Sequence, residues 1–521
     1  MRSPQKSVRR TQSATVASVS SPVGGWNARD PLAEMAETDA IKLDNFFCTP
    51  YDVKVRNGYS VWATGLPSAV NTICSYSPPS GGIKLFAASG TAIYDVTNSG
   101  AVGAAVVTGK ASDKWQHSNF GTAGGNFLYL VNGIDKPMLY NGSTWTAIDG
   151  ASTPAITGVT TTLLSHVYAF KFRLWFIEKN SLRAWYLPTL SIGGAAQSLD
   201  LSSLFNRGGY LVAMADWSLD AGYGMDDYAV FVSSEGQVAV YKGTDPATAA
   251  TWALVGVYDI GSPIGSRCLM KYAGDLTVIC KDGLAPLSKA LMSSRVNTQL
   301  MLTDKIQHVI SDYTTTYQNN YGWECMLYPQ ENMLIMNVPI SSSQSYQLVM
   351  NTISGAWSRF LDWNAICFEL HGDLLYFGAQ GVVCKAWDTN ADNGQNIRFE
   401  AQQSFNYFGN HGQLKQVKMI RPIISTDGQA TILLGVNTDF DTSQPQGLPT
   451  FAPFLPSPAL WDSATWDSST WASGDLSIKK DWQTAFGIGY CLSAHMQGYS
   501  RNVNLRWAST DFMMSGGGLI G

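Results

Sequence analysis

One pattern constrains this chain more than any other: a short apolar strand, a Gly/Asn/Ser/Asp turn and a second apolar strand. It returns roughly every forty to fifty residues, near the period of a propeller blade. Copies run over residues 83–96, 127–140, 167–186, 228–241, 276–287 and 374–387, and another joins 333–338 to 348–351 through the polar run 341–345. In the second copy Asn132-Gly133 sits at the turn, a dipeptide suited to the positive φ angles of tight hairpins. A single display hairpin of this kind cannot bury its apolar face alone. Stacking hairpins radially solves that problem, so the expected fold is all-β: a β-propeller built from display hairpins, with an additional C-terminal β domain.

The texture changes after about residue 396. Residues 397–408, 416–424 and 430–437 read as strands, a Pro-rich stretch follows from Pro445 to Pro458, and three pentads begin at Trp461, Trp466 and Trp471. A spacing of five matches neither a helix face nor one face of a strand, so these tryptophans read as packing anchors between Asp/Ser turns. Residues 490–507 look like two more strands. The expected division is a flexible basic arm over 1–22, an N-terminal segment over 23–66 packing on the propeller, a propeller body over 67–396, and a C-terminal β region over 397–521.

Composition narrows the function classes. Only 14% of the residues are charged, and no apolar run approaches the ~20 residues of a membrane-spanning helix, so none is expected. The net charge is -5, and the arm carries Arg2, Lys6, Arg9 and Arg10 with no acid, so the body is distinctly acidic. Such a body does not read as a general nucleic-acid binder, which needs clustered Lys and Arg for phosphates. The eight cysteines lie at least twelve residues apart in apolar contexts and read as buried thiols in a reducing compartment, with no zinc or disulfide framework.

Motifs for catalysis are weak. Six histidines show no HxH or HExxH spacing, and there is no GxSxG elbow or phosphate loop. A glycosidase needs two carboxylates on one cleft, and the local pairs are Asp226 with Asp227 and Glu369 with Asp373. Neighbouring residues on a strand point to opposite faces, which makes the first pair a poor dyad. Asp388, Asn390 and Asp392 alternate like a calcium loop, but Phe399 stands where the bidentate glutamate belongs, so a turn is expected there. The expectation is a protein that is not an enzyme and carries no cofactor.

Three anchors near the start, Gly24-Gly-Trp-Asn-Ala-Arg-Asp-Pro-Leu32, Leu43-Asp-Asn-Phe-Phe47 and Val55-Arg-Asn-Gly-Tyr59, join others near the end: residues 409–422, the tryptophan pentads, Leu505-Arg-Trp507 and Thr510-Asp511. In this order they resemble the tail nozzle (tail tubular) proteins of short-tailed, podovirus-type bacteriophages. The resemblance implies a virion tail component, assembled in the host cytoplasm, that forms a homo-hexameric ring with a propeller in each subunit. It implies docking to an adaptor ring of the head-to-tail connector and to fibres or spikes, with genomic DNA passing during ejection. Trp461, Trp466, Trp471 and Arg29 are then the expected interface residues. A lumen that does not retard DNA should be acidic or neutral, with Asp226, Asp227 and Glu235 as candidates. The alternatives are a tail hub that plugs the packaged genome, and a glycan-binding propeller.

Overall fold

The computed structural model describes residues 14–220, 225–248, 250–292, 298–428, 430–445, 477–479 and 481–516. The chain forms two compact units: Gly58–Thr352 with Leu361–Asp388, and Met1–Asn57 with Ile353–Phe360 and Thr389–Gly521.

The first unit is a β-propeller. Its described residues form seven antiparallel blades, one around each hairpin read from the sequence. Blade 2 is the simplest: Gln116–Thr122, Gly125–Val131, Met138–Tyr140 and Trp145–Ala147 pair in succession. Blades 3 and 4 repeat this with inner strands Leu164–Phe170 and Leu211–Asp220. Blades 5 and 6 show three strands each, starting at Leu269–Tyr272 and Glu324–Tyr328. Blade 7 begins with Cys367–His371. Each inner strand touches the next around the circle, and that of blade 7 returns to that of blade 1.

Closure rests on one long strand, Tyr59–Tyr76. Its first half pairs with Gln380–Ala386 as the outer strand of blade 7, with Tyr59 opposite Ala386 and Thr64 opposite Val382. Its second half pairs with Lys84–Ser89 as the inner strand of blade 1. Between blades lie apolar clusters drawn from both neighbours, as the stacking argument requires. Blades 3 and 4 share Phe170, Trp175, Met214, Phe231 and Trp252, with the Trp175 and Trp252 rings stacked at 5.5 Å. The Asn132 turn is longer than a two-residue hairpin: the Asn132 side chain accepts from the Ile134 and Asp135 amides, and Gly133 adopts φ 69°.

The second unit is a two-sheet β-sandwich built from both ends of the chain. In one sheet Lys415–Thr426 lies between Leu505–Gly516 and the strands Ser477–Lys479 and Gln483–Gly489. Thr15–Ser20 and Val53–Val55 then pair with Leu505–Gly516, and Phe46–Cys48 with Val53–Val55. The other sheet runs Thr431–Thr438, Leu492–Ser500, Ile397–Gln403 and Asp39–Asp44, and Gly25–Trp26 and Trp357–Phe360 join its last strand in parallel. Phe46 packs between the sheets, 5.3 Å from the Phe399 ring and 6.3 Å from that of Trp507.

The sequence boundaries differ from these units. Residues 23–57 supply sandwich strands, because their partners are C-terminal. The propeller starts near residue 58 and not at 67, because the outer strand of blade 7 precedes the inner strand of blade 1 without interruption. All eight cysteines are buried free thiols.

Candidate functional site

The propeller face on which the inner strands begin carries the densest chemistry. The helix Gln307–Tyr317 enters there between blades 5 and 6, and residues 318–323 follow it across the face. Trp323 anchors the crossing, its indole N–H donating to the Tyr317 carbonyl at 2.9 Å. Asn320 ties it to blade 6 by donating to the Pro339 and Ile340 carbonyls at 3.0 and 3.1 Å. The Tyr321 hydroxyl reaches blade 1, donating to the Asn71 carbonyl at 3.0 Å.

Beneath this segment lies Arg267, just ahead of blade 5. Its guanidinium donates to Glu324 of blade 6 at 3.2 Å, to the Thr72 hydroxyl of blade 1 at 3.1 Å, and to the Trp115 carbonyl leading into blade 2 at 3.0 Å. Glu324 also accepts the Phe368 amide of blade 7 at 3.1 Å. One ion pair thus gathers five of the seven blades and ties the axis shut at this end. Burial pushes the Glu324 carboxyl above its ordinary value and Arg267 pulls it back, while the acidic and phenolic neighbours hold Arg267 firmly protonated. A desolvated guanidinium is tolerated because its donors meet acceptors in fixed positions.

Three adjoining cavities of about 380, 580 and 260 Å³ open around the crossing segment, and Asn319 lines all of them. Their walls mix apolar and polar side chains, the polar ones including Asn364, Gln344 and Gln380 in the first and Lys179, Lys281 and Glu235 in the second. Lys114 stands 4.5 Å above the Tyr321 ring and Arg267 lies 5.9 Å from it, so two cations attend this aromatic side chain of the walls. Further along the inner strands the charges pair off. His117 meets Glu369 at 3.3 Å, Lys271 meets Asp216 at 2.6 Å, and Tyr168 donates to the same Asp216.

One contact resembles part of a catalytic dyad: the Ser75 hydroxyl lies 2.9 Å from His371 Nδ1. Both residues are buried, and burial lowers the His371 pKa. Glu369 accepts the Ser75 amide and faces His117, so it does not serve as the third member that orients the imidazole. Asp373 is an exposed turn residue at φ 62°, remote in role from Glu369.

The other residues singled out by sequence fall as follows. Asp227 is held by Lys171 at 2.5 Å and by the Ser218 hydroxyl at 2.8 Å on the second strand of blade 4, where Asp226 pairs with Leu219. Glu235 lines the second cavity. Arg29 forms an ion pair with Asp30 at 2.7 Å in the sandwich unit. Asp388 belongs to the propeller, bound to Lys385 at 2.7 Å and Ser60 at 2.6 Å. Asp392 belongs to the sandwich, where both oxygens receive Arg56 at 2.7 Å, and the Asn390 carbonyl accepts the Asn502 amide at 2.8 Å. Those carboxylates are committed to cations of the protein, and no cluster of three metal-ligating residues occurs among the described residues. Trp461, Trp466 and Trp471 lie outside the described residues. Sequence reasoning missed Arg267, Glu324 and Tyr321: Arg267 lies more than fifty residues before the other two, and none belongs to a motif.

No family model matches the chain, and no curated protein matches it. Similar solved structures include the β-propeller domain of Myceliophteria thermophila Cps50 (Swd1), 12% identical over 63% of this chain and 98% of that one, TM-score 0.41. A structure of BBS1N in complex with ARL6DN is 10% identical, covering 64% of this chain and 99% of that one, TM-score 0.39. A structure of YCF48 bound to D1 peptide is 12% identical, covering 67% and 99%, TM-score 0.35. Among the described residues no helix is long and apolar enough to cross a membrane.

Proposed function

We propose that this chain is the nozzle subunit of a short bacteriophage tail, a structural and non-catalytic component that assembles as a hexameric ring. One observation carries the reading: the described anchors over 24–32, 43–47, 55–57, 409–422, 505–507 and 510–511 lie in a single folded unit. Val53 and Lys54 pair with Trp507 and Arg506, and Ser18 and Val19 pair with Asp511 and Thr510. Asp511 in turn holds Arg421. Arg56 is fully buried and held by Asp392 and by the Asn45 side chain at 2.8 Å. Anchors that lie far apart in the chain have a physical reason to occur together when they form one core.

The work of such a subunit is mechanical. It docks to the adaptor ring of the connector, carries fibres or spikes and lets DNA out. In this reading DNA travels along the axis of the ring and not through a propeller, whose own axis is bridged by Arg267 and Glu324. A second reading, glycan binding at the propeller face, is favoured by the amide and hydroxyl side chains among the walls of its cavities. Mass photometry of the purified protein, with and without the neighbouring ring protein, separates the two. A six-copy ring supports the nozzle, whereas a monomer that binds glycans on an array overturns it. A ring whose narrowest passage is lined by Arg or Lys also counts against this account.

A further inference from the structure

Among the described residues, 15–20 and 484–489 have a ladder partner on one side only, at opposite sides of one sheet. Over half its length that sheet has the order Gln483–Gly489, Lys415–Thr426, Leu505–Gly516, Thr15–Ser20. Residues 484–489 pair with Lys415–Thr426 alone, and residues 15–20 with Leu505–Gly516 alone, among the described residues. Exposed edges are normally blunted by Lys, Pro or an inward charge, because free N–H and C=O groups template pairing with another chain. Neither strand has any of these. Gln-Thr-Ala-Phe-Gly-Ile-Gly and Thr-Val-Ala-Ser-Val-Ser contain no charge and no proline.

The side chains add a second signal. Register places Val16 opposite Met513, Met513 opposite Met419, and Met419 opposite Thr484, all on one face. Phe486 and Ile488 continue that face, 83% and 57% exposed, and Val16 is 55% exposed at the far edge. All neighbours in the sheet are antiparallel, so the two edge strands run in opposite senses. A copy of the sheet placed beside the first continues it as an antiparallel pair without a change of direction.

We propose that residues 484–489 of one copy pair with Thr15–Ser20 of the next, a head-to-tail β-augmentation that links sandwich to sandwich. The contact is heterologous, the type that closes into rings when the rotation allows. Phe486 and Ile488 then cover Val16 of the neighbour, so one edge supplies the apolar cover the other lacks. Charge agrees with this occupant. In the antiparallel arrangement Thr15, which the sequence precedes with Arg2, Lys6, Arg9, Arg10 and no acid, faces the end of the edge strand where exposed Asp439 holds the Tyr490 amide at 2.7 Å and exposed Asp441 follows. The contact rests on the nozzle reading for closure of the ring only.

The test uses the full chain with Ile488→Lys, Val16→Lys, and an equimolar mixture of the two, followed by mass photometry. Each variant alone is expected to raise the concentration for half assembly by at least about tenfold, the effect of one lost apolar pair with a desolvated charge. The mixture is expected to stop at dimers, since only one intact edge pair remains between the two variants. Rings that survive both substitutions overturn the edge contact and leave the nozzle reading standing. Open chains that both substitutions abolish overturn the nozzle reading and leave the edge contact standing. Hydrogen exchange gives an independent measure without variants. Slow amides over 15–20 and 484–489 in the assembled protein are expected, and fast exchange at both edges overturns the contact.

Discussion

The propeller and the sandwich are both antiparallel β structures, yet they are assembled in opposite ways. In blade 2 every ladder partner lies within a stretch of 32 residues, Gln116 to Ala147. In the sandwich Thr15 pairs with Met514, 499 residues away. The propeller has one comparable linkage, where Tyr59–Tyr76 closes on Gln380–Ala386. The sandwich has several, which join residues 15–55 to strands beyond residue 356. Local pairing costs little loop entropy and leaves a strong sequence pattern, whereas distant pairing must bring chain ends together before any contact forms. The polar contacts follow the same division. The propeller concentrates its buried charge at one ion pair on the axis. The sandwich spreads its own over Arg56–Asp392, Arg359–Asp44 and the Lys42–Glu400–His495 cluster, each bridging distant segments.

The largest expected effect comes from removing one end of the chain. Deleting residues 1–57 takes five strands from the sandwich and none from the propeller. Amide protection over Lys415–Thr426 and Leu505–Gly516 is expected to vanish while that of the blades persists, as read by hydrogen exchange. Loss of protection in both units breaks the distinction between them.

A single substitution on the axis acts the other way. Arg267→Met leaves Glu324 buried without its cation and is expected to cost about 3–5 kcal/mol in propeller stability. The double variant Arg267→Met, Glu324→Leu should recover much of it, because no unpaired charge remains. Chemical denaturation followed by exchange over blades 1, 5 and 6 checks this, and equal losses in single and double variants reject the pair as the axial tie.

Acid should separate the units more finely. Burial raises the Glu400 carboxyl, but hydrogen bonds from His495 and Lys42 outweigh it and hold the pKa down to about 2. A depressed carboxylate stabilises the fold above its unfolded value of 4.5, and that contribution is lost as pH falls toward 2. Glu400→Gln is expected to cost about 1–3 kcal/mol at neutral pH and to flatten sandwich stability below pH 4.5. An unchanged acid limb in this variant refutes the assignment.

The smallest effect belongs to His166. Burial drives its pKa down to about 4, partly opposed by the Met214 carbonyl 3.0 Å from its ring. The unfolded chain takes up the proton first, so blade 3 is expected to lose stability as pH falls from 6.5 to 4. His166→Gln should remove that slope at a cost of ~1 kcal/mol. The difference between wild type and variant, followed by exchange over Leu164–Phe170, should be absent from the sandwich strands.

What could be read in advance follows from the same contrast. Each of the seven hairpins marked by alternating apolar runs became the centre of a blade, because a blade is a local object with a local turn. The strands at 415–426, 431–438 and 492–500 were legible for the same reason, whereas the last strand, read as ending at 507, runs on to Gly516. Their partners were not, since nothing in the 15–57 segment announces which distant strand it will join. The calcium-like spacing of Asp388 to Asp392 reads as a turn in the sequence, but the partners of its carboxylates do not: they are Lys385 and Arg56, the second of which is more than 300 residues away.

By itself, then, the sequence determined the secondary structure class, the hairpin units and the need to stack them, because periodicity and turn chemistry act over ten to twenty residues. It also carried the anchors at its two ends. Only the tertiary structure decided that those ends form one sandwich, that Tyr59–Tyr76 serves two blades, and that Arg267 and Glu324 meet on the propeller axis. A buried ion pair is stabilised by donors and acceptors fixed in space, and their arrangement comes into being only when the blades close.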